Sequence, residues 1–135
     1  MKWLRFAQGD REGLGLLHGD EVMVHEGDLF NAPRPTGERL PLAGLAWRMP
    51  CRPRTMLALW NNFHAAAEKN AWSVPAEPLY FVKAPASYAG PGQPIPAPAP
   101  EVGRIAYEGE LAIVIGRPTH RVSAAQAPDH IFGYT

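Results

Sequence analysis

Two glutamates, two residues apart, are the side chains in this sequence best suited to chemistry. Glu108 and Glu110 lie in the apolar segment 105–115, whose pattern predicts the strongest strand of the chain. Because residues two apart in a strand share a face, both carboxylates would point the same way. Two carboxylates about 5 Å apart repel by about 3 kcal/mol at an effective dielectric constant near 20, and a proton or a cation relieves that repulsion. The pair therefore predicts a site for Mg²⁺, Mn²⁺ or Ca²⁺, or an acid–base site.

A second group of polar side chains surrounds the start of a short helix predicted within residues 61–70. Asn61 or Asn62 can cap that helix. His64 and Glu68 are four residues apart, so they lie on one side of a helix and Glu68 can orient the imidazole. A histidine held in this way can move protons or activate water. The alternative is that His64 only caps or packs at the helix start.

The composition excludes several classes of partner. Apolar residues make up 46% of the chain, as is typical of a folded globular domain. Thirteen acidic residues balance thirteen basic ones, so neither nucleic acid nor an anionic membrane is indicated as a partner. No signal peptide is visible, and no segment reaches the roughly 18 apolar residues of a membrane span. We therefore expect a cytoplasmic protein in which the single cysteine, Cys51, is an unpaired thiol.

Strands are the main elements expected to position these groups. Fifteen prolines and thirteen glycines favour many turns and few long helices, which predicts a mostly β (α+β) fold. The N-terminal part predicts a small antiparallel meander, whereas residues 31–53 read as a linker that wraps over a core. The predicted strands cover residues 3–7, 13–18, 21–25, 55–60, 77–83 and 105–115.

Three of the predicted elements carry a further expectation. Residues 55–60 are continuously apolar, which predicts a buried strand. Residues 105–115 become apolar on both faces beyond the glutamate pair, as expected of a strand buried on both sides. Ser123 and Gln126 form a capping-box pattern that predicts the start of a short helix, with Gly133 as its end.

Four ordered blocks of this sequence resemble the fumarylacetoacetate hydrolase family. The segment YEGELAIVIG, which contains the glutamate pair, is similar to the family signature YEGELAVVIG. The other three blocks follow the family order: EPLYFVKAP at residues 77–85, GPGQPI at residues 90–95, and the segment 122–135, which ends in IFGYT.

The resemblance also divides the chain into two parts. Residues 1–50 resemble the variable small N-terminal domain and linker that many members carry. Residues 51–135 correspond to the first half of a catalytic domain, with the fold of a β-roll or barrel. The third metal ligand of the family lies beyond this half, so the domain is expected to be truncated before it.

The resemblance implies a metal-dependent enzyme that acts on β-diketo acids and related 2-oxo or enol dioic acids. Members cleave carbon–carbon bonds, decarboxylate or isomerise such small molecules, and commonly form dimers, so a homodimer is expected of the full-length protein. It implies Glu108 and Glu110 as two of three carboxylate ligands, usually for Mg²⁺ or Mn²⁺. It also implies Lys83 as a catalytic or substrate-binding lysine. The segment 59–63 is similar to members that act in the catabolism of aromatic compounds.

Two departures from the family pattern keep the reaction open. The third ligand is an aspartate that follows the GYT motif, and the sequence ends with that motif at Thr135. Many members activate water with a histidine and a glutamate three residues apart, whereas His64 and Glu68 are four apart. The resemblance implies a catalytic His64 that Glu68 can orient, and Asn61 or Asn62 can instead contact the substrate. The choice among hydrolysis, decarboxylation and isomerisation therefore stays open.

Two other functions remain alternatives. The chain can be a non-catalytic fragment, or the assembly half of such an enzyme with the remainder on another chain. It can also be a plain β-rich binding domain with solvated glutamates. The last alternative predicts that the side chains of Glu108 and Glu110 are fully exposed.

Overall fold

The computed structural model describes all residues from Met1 to Thr135, and strands dominate it. The fold is mostly β with few short helices, as predicted. The strands are β1 (Trp3–Gln8), β2 (Arg11–His18), β3 (Glu21–Glu26), β4 (Arg34–Pro41), β5 (Ala46–Arg48), β6 (Met56–Trp60), β7 (Leu79–Lys83), β8 (Ile113–Ile115) and β9 (Ile131–Tyr134). The helices are α1 (His64–Lys69) and three short 3₁₀ segments, at Pro85–Ser87, Pro100–Val102 and Ala127–His130.

The strands form three separate antiparallel sheets. The largest has the order β4-β3-β2-β1-β5, and the other two are the pairs β6–β7 and β8–β9. By its internal contacts the chain divides into two compact units. One contains Met1–Cys51 and Pro91–Thr135, and the other contains Arg52–Gly90. No helix has both the length and the apolarity needed to span a membrane.

The N-terminal meander forms as predicted because its apolar residues alternate along each strand. In β3 the valines at positions 22 and 24 share one face, and both are buried. They pack with Phe6 of β1, whose side chain is fully buried, and with Leu4 and Leu45. This cluster is the hydrophobic core of the five-stranded sheet.

The predicted linker at residues 31–53 is wrong, because this segment supplies the two outer strands of the same sheet. Strand β4 pairs with β3, and β5 pairs with β1. The prolines at positions 35 and 41 had argued against a strand, but β4 is an edge strand, where a missing N–H costs little. Ion pairs between neighbouring strands, such as Arg39 to Glu21 at 3.1 Å, add polar contacts on the exposed surface.

The strand predicted at residues 55–60 is present as β6, but its predicted burial is wrong. Ala58 is buried, whereas Leu57 and Leu59 are more than half exposed. Strand β6 pairs with β7 in a two-stranded sheet, in the register Met56↔Lys83 to Trp60↔Leu79. Two strands alone cannot cover both faces of an apolar segment. A continuous run of apolar residues was therefore not enough to predict that β6 is buried.

The helix after β6 is present, but its predicted cap is wrong. Phe63, in an extended conformation, occupies the N-cap position without a side-chain hydrogen bond. Asn61 does not cap because its backbone has a φ of +53° and its amide binds elsewhere. The helix ends after Lys69 in a pair of nested bonds, from Trp72 N–H to the Ala67 carbonyl and from Ala71 N–H to the Glu68 carbonyl. This is a Schellman ending, with Ala71 in the left-handed conformation at a φ of +53°.

The long strand predicted at residues 105–115 is mostly wrong. Only Ile113–Ile115 forms a strand, preceded by two backbone hydrogen bonds between Ala112 and Thr135. Residues 105–111 belong to none of the three sheets, and they are exposed. Apolar alternation indicates a strand only where a neighbouring strand is available to receive its hydrogen bonds.

The predicted C-terminal helix is reduced to a turn and a short 3₁₀ segment. The side chains of Ser123 and Gln126 do contact each other, with Ser123 Oγ donating to Gln126 Oε1 at 2.9 Å. Pro128, two residues after Gln126, has no backbone N–H to donate, and the helical segment covers only Ala127–His130. Gly133 does not end a helix, because it lies in β9.

Candidate functional site

A pocket of about 310 Å³ lies within the Arg52–Gly90 unit. This volume is near the lower limit for sites that bind small molecules. The end of β6, the start of α1 and the segment before β7 form its walls. The lining residues are Leu59, Trp60, Asn61, Asn62, Phe63, His64, Ala67, Val74, Pro75, Ala76, Glu77 and Pro78.

Two contacts join the two walls of this pocket. Asn61 Nδ2 donates a hydrogen bond of 2.9 Å to the backbone carbonyl of Ser73, twelve residues further along the chain. The rings of Trp60 and Trp72 pack with their centroids 5.1 Å apart and their planes at 38°. The chain can turn sharply after β6 because asparagine tolerates the positive φ better than most other residues do. The amide and the indole pair together hold the loop after α1 against the end of β6.

The Asn61 side chain leaves one polar atom unpaired. Its Oδ1 is shielded from solvent and accepts no hydrogen bond. The orientation of the amide follows from chemistry, since the Ser73 carbonyl can only accept and must therefore face Nδ2. A buried acceptor without a donor costs about 1–3 kcal/mol, so this atom is a place where a bound group can gain free energy.

Three of the site residues predicted from the sequence line this pocket together. They are Asn61, Asn62 and His64. The imidazole of His64 is exposed at the start of α1. Glu68 lies one helical turn further on the same helix, but it does not line the pocket, and no hydrogen bond joins it to His64. The orienting role of Glu68 therefore stays a prediction.

Lys83 is not among the residues that line the pocket. It pairs with Met56 at the end of the β6–β7 sheet opposite the Trp60–Leu79 pair. Lys83 is four positions along the strand from Leu79, a distance of about 13 Å. The lysine is half-buried, and its Nζ lies 5.8 Å from the centroid of the Phe81 ring. Its role toward a substrate stays a prediction.

The glutamate pair belongs to the other compact unit. Both Glu108 and Glu110 are exposed, in a segment without strand structure. Exposure is what the binding-domain alternative predicts. Carboxylate oxygens suit a hard cation such as Mg²⁺, but no group of three histidine, cysteine, aspartate or glutamate residues comes together to hold a metal ion. The donors have the right chemistry, and their number is too small for a complete site.

Cys51 shows no sign of activation as a nucleophile. Burial raises the pKa of its thiol, and the nearby Arg5 guanidinium opposes that rise only in part. A higher pKa leaves less thiolate at neutral pH, and the thiolate is the reactive form.

The wall of the pocket that follows α1 was not predicted from the sequence. Ser73 and Val74 lie in a loop without periodicity, and no pattern in the sequence distinguishes them. Trp60 and Trp72 were the available signal, since two tryptophans that flank a short helix can meet when the chain turns back. Their contact depends on the turn at Asn61 and on the helix ending at Ala71.

Comparison with known families and proteins supplies the identity of the chain. Residues 54–135 match the family model described as fumarylacetoacetate (FAA) hydrolase C-terminal. Residues 1–50 match a second model, described as Rv2993c-like, N-terminal. The first match covers more than half of the chain.

Individual relatives agree with these matches. Protein Rv2993c of Mycobacterium tuberculosis is 38% identical over 106 residues, which are 78% of this chain and 40% of that protein. Oxaloacetate tautomerase YisK of Bacillus subtilis is 30% identical over 129 residues, covering 89% of this chain and 43% of that protein.

A solved structure extends the agreement to the fold. The 2-hydroxyhepta-2,4-diene-1,7-dioate isomerase of Mycobacterium marinum superposes with a TM-score of 0.81 at 32% identity. The match covers 99% of this chain and 52% of that protein. The chain thus spans about half the length of the relatives it matches. The sequence blocks, the family match and the shared fold agree: the chain belongs to the fumarylacetoacetate hydrolase family.

Proposed function

We propose that this chain supplies part of the catalytic domain of a metal-dependent enzyme that acts on 2-oxo, β-diketo or enol dioic acids. The observation that carries the proposal is that Asn61, Asn62 and His64 line one pocket. The relatives support the substrate class, since one is named for oxaloacetate and another for a 2-hydroxy dienedioate. The proposed setting is the catabolism of aromatic compounds, with tautomerisation, decarboxylation and carbon–carbon cleavage as the candidate reactions.

The residues of the Arg52–Gly90 unit would have distinct roles. His64, exposed at the start of α1, would accept and return the proton that moves during enolisation. Glu68, four residues later, would orient the imidazole once a substrate orders the site. Asn61 and Asn62 would hold the substrate through their amides. Lys83 would bind a substrate carboxylate or the oxyanion that forms.

The bound cation also belongs to the proposal. Two glutamates supply carboxylate oxygens that suit it, but two side chains are fewer ligands than a complete site needs. Glu108 and Glu110 would be two of the ligands of a bound Mg²⁺ or Mn²⁺, with Ca²⁺ as a further candidate. When bound, such a cation acts as a Lewis acid toward the oxygens of a 2-oxo acid. The proposed full-length enzyme is a homodimer.

The catalytic assignments are tested in a longer polypeptide that contains these 135 residues and has the full length of the relatives. The measured quantity is its turnover of oxaloacetate. With Mg²⁺ or Mn²⁺ present, we expect His64→Gln to lower kcat by about 10²–10⁴, which is the usual contribution of a positioned acid or base. His120→Gln is the matched control, because His120 is exposed and lies outside the pocket. Equal loss in both variants would remove His64 from the mechanism.

The metal assignment is tested in the same polypeptide with Glu108→Gln, which removes the charge and keeps the shape. Metal-dependent turnover should be abolished, whereas Glu101→Gln, a change at another exposed acidic residue of the same unit, should leave it unchanged. Unaltered turnover of Glu108→Gln would contradict the ligand assignment.

A second candidate function is a non-catalytic fragment or the assembly half of such an enzyme. The observation that favours it is the absence of any group of three potential ligands. Calorimetric titration of Mn²⁺ into the 135-residue chain distinguishes the two. Micromolar binding that Glu108→Gln removes would indicate a completed site, and no heat of binding would favour the assembly half.

A further inference from the structure

The Asn61 amide, which would hold the substrate, contains an acceptor without a donor. Asn61 Oδ1 is shielded from solvent and unpaired, and the bond from Nδ2 to Ser73 holds the amide in place. Since Asn61 lines the pocket, a ligand seated there is a source of the missing donor. The amide is already oriented, so its oxygen can accept a bond with little further ordering.

The remaining walls favour a flat, apolar group. Trp60 and Phe63 supply aromatic surface, and Val74 and Pro75 supply aliphatic surface. Trp72 packs against Trp60 and so holds one of these rings in position. Aromatic walls bind flat, unsaturated groups well, because ring faces stack with large contact areas.

The charge around the pocket disfavours an acidic group at this place. Glu77 lines the pocket, and no lysine or arginine is among the lining residues. The other titratable lining residue is His64, so a carboxylate beside Glu77 would meet a like charge with no permanent cation to compensate it. A neutral hydroxyl matches both the lining charge and the unpaired acceptor.

We infer that this pocket binds a flat, uncharged, conjugated segment of a ligand and selects it by a hydroxyl that donates to Asn61 Oδ1. The inference rests on the proposed function, whose substrates would carry that hydroxyl as an enol. The hydroxyl reaches the oxygen as the neighbouring pocket side chains move aside, since the atom is closed to solvent in the free chain. Asn61 is thus a specificity-determining residue, which favours the hydroxylated form of a ligand over the form that lacks the hydroxyl.

Phenol and toluene are suitable probes because they have nearly the same shape and differ by one hydroxyl. Dissociation constants of both are measured by NMR titration of the 135-residue chain and of Asn61→Gly, which keeps the positive φ and removes the amide. The ratio of the toluene constant to the phenol constant should fall by about tenfold in Asn61→Gly, which corresponds to one hydrogen bond. Asn70→Gly is the matched control, since Asn70 carries an amide outside the pocket, and its ratio should stay that of the parent chain.

A ratio that is equal in the parent chain and in Asn61→Gly would overturn the inference, as would the absence of binding by either probe to the parent chain. Should Asn61→Gly fail to fold, the parent chain still decides. Phenol should then shift the Asn61 side-chain amide signals more than toluene does at equal occupancy, and equal shifts would overturn the inference. Failure here is distinguishable from failure of the proposed function, which depends on the metal-dependent turnover of the Glu108 and His64 variants.

Discussion

The five-stranded N-terminal sheet and the two-stranded β6–β7 sheet are both built from apolar strands, but they bury them to different extents. In the first sheet, Phe6 and Val22 are fully buried. In the second, Leu57, Leu59 and Val82 are each more than half exposed. The five paired strands share one hydrophobic core, whereas a sheet of two strands is too small to cover its own apolar side chains. The number of paired strands, more than the hydrophobicity of any one strand, decides how much apolar surface leaves water.

Removal of a large side chain from each sheet gives the strongest test of this comparison. Phe6→Ala should lower the free energy of unfolding by about 3–5 kcal/mol, because it leaves a cavity in a closed core. Leu59→Ala should cost less than about 1 kcal/mol, since much of that side chain is already in water. Urea denaturation followed by circular dichroism measures both. Similar losses for the two variants would mean that the β6–β7 sheet is as well covered as the N-terminal sheet.

Addition of a methyl group sharpens the comparison at the core itself. A Cβ at Gly15 would lie 2.5 Å from the Met23 carbonyl oxygen and 2.6 Å from Val22 Cγ1. Gly15→Ala should therefore destabilise the chain by about 1–3 kcal/mol, the usual cost of overpacking. Gly133→Ala in β9 is the matched control, because no atom lies within 4 Å of its added Cβ. Comparable midpoints of urea unfolding for the two variants would argue against a tightly packed N-terminal sheet.

A smaller effect is expected in the Arg52–Gly90 unit, where local geometry has more influence than burial. Ala71 has a φ of +53° at the end of α1, a conformation that glycine adopts without steric cost. Ala71→Gly should raise stability by up to about 1 kcal/mol, and the greater freedom of glycine in the unfolded chain limits the gain. Ala65→Gly, within the same helix, should lower stability by about 1 kcal/mol. Thermal unfolding of both variants tests whether the helix end is strained, and opposite signs are the expected result.

The smallest effect concerns an ion pair on the surface of the N-terminal sheet. The hydrogen bond from Arg11 holds the pKa of the Glu38 carboxyl below its ordinary value. A lowered pKa stabilises the fold above the ordinary carboxyl pKa, and that contribution is lost as the pH falls through the folded value. Glu38→Gln should therefore lower Tm slightly at pH 7 and have no effect at a pH below both values. A difference in Tm that persists in acid would show that Glu38 acts through packing instead.

Much of the fold followed from local patterns in the sequence. The alternation of residues 21–25 was sufficient for β3, and the alanines after Phe63 were sufficient for α1. The strands β4 and β5 were not predictable in the same way, because prolines and arginines become acceptable only at the edge of a sheet that already exists. The exposed segment 105–111 shows the converse, since a strong strand pattern forms no strand where the segment is in none of the sheets.

The candidate site likewise contains residues that the sequence indicated and residues that it did not. His64 and the two asparagines could be singled out from their spacing together with the family resemblance, and the structure gathers them in one pocket. Ser73 could not, because it contributes only a backbone carbonyl, which any residue possesses. The unpaired oxygen of Asn61 was equally invisible, since its burial depends on how the loop after α1 folds back.

The sequence by itself determined the family, the mostly β character of the chain, and the residue types available for chemistry. These follow from composition, periodicity and ordered motifs, which are local properties. Only the tertiary structure decided which apolar strands are buried, where the Asn61 amide is held, and that Glu108 and Glu110 stand exposed on a segment without strand structure. Burial and hydrogen-bond satisfaction depend on contacts between residues far apart in the chain, and no local pattern specifies them.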